Sequence, residues 1–254
     1  ASILNDMLED NYIRSFSTIK RKSITQNQRI VLVIGSVLMG ILASVPFGPY
    51  SVYYALATAV LILFYDATAK FVPALGACIL AMITSVYMLI INPNFQFVLP
   101  LFWMSMHVLG VSLAIVSIDE QRKKISIKNI LYVCIFICTF ALALSVQASF
   151  SIDNMFPSNI LGWKLCFPLL ASLSFIFIAV WKVKSASTAR SAAEKIRRYS
   201  ALWQSLYASC WFFLLNLSWY ALFALVATFI AYLILVALRE FTGIRPENPF
   251  DFRV

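Results

Sequence analysis

The chain has 254 residues, of which 61% are apolar and 12% charged, and its mean hydropathy is +0.85. A soluble domain carries about a quarter charged residues, so a soluble globular fold is excluded and lipid is the solvent for most of the chain. The net charge of +9 lies in short segments between apolar runs, which assigns it to membrane topology rather than to nucleic acid.

Lipid offers the backbone no hydrogen-bond partner, so these long, uniformly apolar runs are predicted to be helices and not the alternating strands of a barrel. The expected fold class is all-α: a polytopic transmembrane helix bundle of seven or eight spans with a cytoplasmic N-terminus. Residues 1–29 form an amphipathic N-terminal segment, with Ile3, Leu4, Met7, Leu8, Tyr12, Ile13, Phe16 and Ile19 at helical spacing. That pattern fits a helix on the membrane surface, and a docking helix for a partner is the alternative. The segment shows no early apolar core followed by a cleavage site, so no signal peptide is expected.

The transmembrane helical domain covers residues 30–238. Its first span runs from Ile30 to Val45, and the prolines and glycine of Pro46 to Tyr50 then force a turn. The second span is Ser51 to Tyr65, and a link with Asp66 and Lys70 leads to the third, Phe71 to Ile91. The turn Asn92 to Asn94 precedes the fourth, Phe95 to Ile118. Pro73 falls in a first turn, where a missing amide is tolerated, whereas Pro100 lies deeper and is expected to kink its helix. The polar segment Asp119 to Lys128 leads to the fifth span, Asn129 to Ala148. A weakly charged connection, residues 149–159, leads to the sixth, Ile160 to Val180.

Next comes the most basic segment, Lys182 to Arg198, whose good helix formers are expected to continue into the final apolar block, Ala201 to Leu238. As one helix that block would be about 57 Å long, against a hydrocarbon core of about 30 Å. Either a tight turn near Asn216 to Trp219 makes it a hairpin or re-entrant element, or one long span is fed by a basic surface helix. A polar tail, residues 239–254, follows. Positive residues prefer cytoplasmic loops. With eight spans all 20 Lys and Arg except Lys164 lie inside, while seven spans would put the tail arginines outside. Lys164, near the outer end of the sixth span, is expected to snorkel to the interface. The charge bias favours eight; against it, a span from Ala201 to the turn would be short.

His107 is the sole histidine and stands near the middle of the fourth span. An ionisable group at that depth is a functional suspect for proton relay or anion binding, and a neutral imidazole bonded to a neighbouring helix is the plainer account. Tyr53, Tyr54, Gln204 and Asn216 complete the candidates for a solute pathway. Arg122, Lys123, Lys124, Lys182, Lys184, Arg190, Lys195, Arg197 and Arg198 are expected to meet lipid headgroups or partners. Ser36 with Gly40 is a small-xxx-small packing candidate. The five cysteines lie in apolar runs; Cys134 and Cys138 share a helix face, but without His or carboxylate neighbours they make no metal site. No cofactor, no metal and no nucleic acid is expected, and a membrane enzyme would need more convergent polar residues than the spans contain.

Several residues over positions 29–149 carry a family resemblance. Arg29 opens an apolar span, and Pro46-Phe47-Gly48-Pro49-Tyr50 makes a tight turn. Ala55 to Ala59 centres the next span, and Leu75-Gly76-Ala77 lies in the one after. Together these resemble the membrane half of fusaric-acid-resistance-type aromatic-acid exporters. The resemblance implies an inner-membrane exporter of aromatic or amphiphilic organic acids, paired with a periplasmic adaptor. The chain departs from longer members in lacking a cytoplasmic domain and a second membrane half, which a homo-oligomer would supply. The expected function is thus a transport component of a bacterial inner membrane, with membrane lipids and further copies or other complex subunits as partners. The alternative is a non-catalytic scaffold or assembly subunit.

Overall fold

The computed structural model describes the backbone of residues 26–91, 98–118, 125–147, 162–186 and 188–243; side chains at 26–29, 147, 190 and 235–243 lie outside that description. Residues 1–25 of the expected amphipathic segment 1–29, and residues 244–254 of the expected tail 239–254, also lie outside it. Among the described residues the secondary structure is helical, without strands. The elements are α1 (Gln26–Ser44), α2 (Pro49–Ala67), α3 (Pro73–Ile91), α4 (Leu99–Ile118), α5 (Ile127–Gln147), α6 (Cys166–Lys184), α7 (Ala189–Leu214) and α8 (Ser218–Gly243). Short 3-10 turns occupy Val45–Phe47, Ala69–Phe71 and Gly162–Leu165.

Among the described residues six stretches are long and apolar enough to cross a membrane: Ile30–Phe47, Pro49–Ala67, Pro73–Ile91, Leu99–Ile118, Ile127–Val146 and Gly162–Lys184. A shorter apolar stretch, Ser218–Ile234, belongs to α8. The turn expected at Pro46 to Tyr50 is present. Pro46 falls inside the 3-10 turn, Gly48 takes φ 103°, and Pro49 opens α2. Both prolines occupy first-turn positions whose amides have no helical acceptor. Pro100 does the same, because α4 starts at Leu99. It therefore has no carbonyl four residues back within its helix to clash with, and the kink expected from a helix starting at Phe95 has no cause.

The chain divides into two compact units. The first comprises residues 1–109 and 126–149. Within it α3 is the most enclosed helix. It packs against α2 and α5, and its buried residues Ala74, Gly76, Ala77, Cys78, Ala81 and Ser85 are small. Small side chains let helix backbones approach, which is how packing is gained in lipid, where burial against another apolar surface yields little. At the α2–α3 corner the backbones approach so closely that a Cβ at Gly76 would meet the Ala69 carbonyl oxygen. By contrast, Ser36 and Gly40 are exposed on α1, and Gly40 meets no atom within 4 Å of where a Cβ would sit.

The second unit comprises residues 110–125 and 150–254. Here α6, α7 and α8 run antiparallel in sequence order, with α7 packed against both of the others. Thr188 caps α7 by accepting a hydrogen bond from the Ser191 amide at 3.1 Å, which satisfies one of the amides left over at a helix start. The polar first half of α7 buries one face within the unit: Ala193 and Ile196 pack against Val111, Ile115 and Phe175. After Leu214 the helix stops. Asn216 takes φ 63°, the Asn216 amide donates to the Phe213 carbonyl (3.1 Å), and the Leu217 amide donates to Phe212 (2.9 Å). This is a Schellman stop, with the left-handed position filled by asparagine instead of glycine. The overlong apolar block is therefore a hairpin, and the single long span is not formed.

Candidate functional site

The end of the second unit that carries this turn also carries a buried cation. Lys164 lies in the Gly162–Leu165 turn ahead of α6, and 8% of it is exposed. Because α6 and α7 are antiparallel, the start of one meets the end of the other, and the Lys164 ammonium donates a hydrogen bond to Asn216 Oδ1. The same ammonium stands 5.3 Å from the centre of the Phe213 ring. Phe213 is edge-on to Phe167 at 4.9 Å, and Phe167 contacts Trp163 at 5.9 Å. The amide and the ring face hold the lysine head among the helices.

Further along this helix pair the polar groups continue as a ladder. The hydroxyls of Ser172 and Tyr207 hydrogen-bond at 3.1 Å, and the Trp203 indole donates to the Ala171 carbonyl at 2.7 Å. On the other side of α7, Ser209 donates to the Ala221 carbonyl of α8 at 2.7 Å. These bonds cross between helices, fixing the register of all three. The pairing of Lys164 with Asn216 and the Tyr207 bond to Ser172 were not expected from the sequence. A signal was present in that Lys164 is the one basic residue that eight spans leave outside the cytoplasm, and Asn216 is a polar residue inside an apolar block.

At the other end lie the basic candidates. Lys182 sits over the rings of Trp181 (4.5 Å) and Tyr199 (5.5 Å), and Lys195 donates to the Ser185 carbonyl at 3.2 Å. Arg197 and Arg198 both pair with Glu194, at 3.0 and 3.1 Å, which leaves their charge less available than a bare count implies. Lys184 is exposed. Arg122, Lys123 and Lys124 lie outside the described residues, as does the side chain of Arg190.

The solute-pathway candidates divide between the units. In the first, Tyr53 is 65% exposed and so points away from its neighbours, Tyr54 is half-buried, and His107 is half-buried in the middle of α4. Two residues before His107, buried Ser105 shares a 2.6 Å hydrogen bond with Ser85 of α3. In the second, Gln204 is half-buried on α7, and its separation from Asn216 along the helix is about 18 Å, so the two do not act on one group. Asn216 serves the turn and Lys164. Among the described residues, no group of three or more His, Cys, Asp or Glu is placed to hold a metal ion.

These features define a class: a multi-pass helical membrane protein with hydrogen bonds between its helices. No family model, curated protein or solved structure matches this chain.

Proposed function

We propose that this chain is a transport component of a bacterial-type inner membrane, an exporter subunit for aromatic or amphiphilic organic anions acting as a homo-oligomer or with partner subunits. The observation that carries the reading is the polar seam of the first unit. Ser85 and Ser105 join α3 to α4 in the middle of apolar helices, and His107 follows on the same helix. Polar side chains at that depth are costly in lipid and mark solute paths in membrane proteins. The resemblance to fusaric-acid-resistance-type exporters points the same way. In this reading the chain crosses the membrane eight times, with α7 as the seventh crossing and both termini cytoplasmic. The test is efflux of benzoate from proteoliposomes holding the purified chain. The wild type is expected to release it faster than empty vesicles, and His107→Ala more slowly than wild type. Release no faster than from empty vesicles would overturn the reading.

A scaffold or assembly role is favoured by a different observation. The spans Ile30–Phe47 and Ile127–Val146 are each 6% buried, against 39% for Pro73–Ile91 and Leu99–Ile118, and Ser36 and Gly40 face outward on the first. Helices so thinly covered by their own chain offer surface to other subunits. Copurification of a fixed set of proteins in mild detergent, with no flux from the chain alone, would support this role.

A further inference from the structure

We propose that Lys164 binds the phosphate of an anionic phospholipid, at the end of the α6–α8 bundle opposite the basic segment Lys182 to Arg198. Lys164 is 8% exposed, and among the described residues its contacts are the neutral amide oxygen of Asn216 and the face of Phe213. An ammonium withdrawn from water needs a counter-charge, and neither partner supplies one. An ammonium has three donors; Asn216 takes one and the ring faces the charge from another side, so capacity for an oxyanion remains.

The surroundings identify the anion. Trp163 (61% exposed), Trp219 (81%) and Tyr220 (62%) stand outward at this end, as the aromatic belt at headgroup depth does. At that depth phospholipid phosphate is the abundant anion. Below it on α6, Leu169 and Leu173 are exposed and give an acyl chain an apolar surface. The site is separate from the basic segment and holds whether or not the chain moves a solute.

The test is native mass spectrometry of the full chain in mild detergent, with phosphatidylglycerol or phosphatidylcholine added. Wild type is expected to retain phosphatidylglycerol in preference, and Lys164→Gln to lower that preference by about fivefold. Lys164→Arg should keep it. Asn216→Asp places a carboxylate beside the lysine, tolerates the same left-handed backbone, and should lower the preference as Lys164→Gln does; it decides the matter if Lys164→Gln fails to fold. An unchanged preference in the variants that remove or neutralise the charge would overturn the proposal. So would displacement of the bound lipid by benzoate or inorganic phosphate, which would make the site one for a small anion.

Discussion

At Gly76 an added Cβ would sit 2.9 Å from the carbonyl oxygen of Ala69, a backbone atom that cannot swing aside. Alanine normally improves a helix by up to about 1 kcal/mol over glycine, but overpacking costs about 1–3 kcal/mol, so the clash should dominate. Gly76→Ala is expected to lower the melting temperature of the detergent-solubilised protein; an unchanged or raised value would show that the α2–α3 corner relaxes freely. Asn216 presents the opposite case of a residue chosen for what its side chain adds. Glycine would take φ 63° with less strain, yet only a side-chain acceptor at this position can reach the Lys164 ammonium. The turn and the buried cation are thus held by one side chain.

Helix pairing explains why a hydrogen bond as short as that between Ser85 and Ser105 contributes modestly. Each hydroxyl also lies within reach of a carbonyl of its own helix, Ala81 for Ser85 and Leu101 for Ser105, at 2.9 and 2.8 Å. When one serine is removed, the other returns its proton to that carbonyl, so no buried donor is stranded. Ser105→Ala is therefore expected to cost about 0.6 kcal/mol, and a double-mutant cycle with Ser85→Ala should give a coupling of similar size. A coupling of several kcal/mol would mean that the seam is a structural keystone. The elements themselves were largely legible in the sequence. Apolar runs located six spans, Pro46 to Tyr50 located a turn, and the polar interruption at Asn216 located the break in the last block. What was not legible depended on distant partners. The burial of Lys164 arises from a residue 52 positions away, and the packing of Ala193 and Ile196 against Val111 and Ile115 turns a basic surface stretch into half of a packed helix. Pro100 misled because the helix start lay a few residues later than the apolar run.

For the whole molecule the antiparallel order of α6, α7 and α8 places the end of α8 level with the link between α6 and α7. That link sits among the basic residues assigned to the cytoplasm by the charge bias. A tag fused after Val254 is expected to be protease-accessible in inside-out vesicles and protected in right-side-out ones. The reverse pattern would mean that α7 does not cross. The makeup of α7 also bears on how the chain is built into the bilayer. Its first half holds Arg190, Glu194, Lys195, Arg197 and Arg198, charges that oppose transfer into lipid, so in the eight-crossing reading only the apolar half, residues 201–214, enters the hydrocarbon. At about 1.5 Å per residue that half is about 21 Å long, against a hydrocarbon core of about 30 Å, so α7 is expected to depend on the partners that α6 and α8 supply to hold its place in the bilayer.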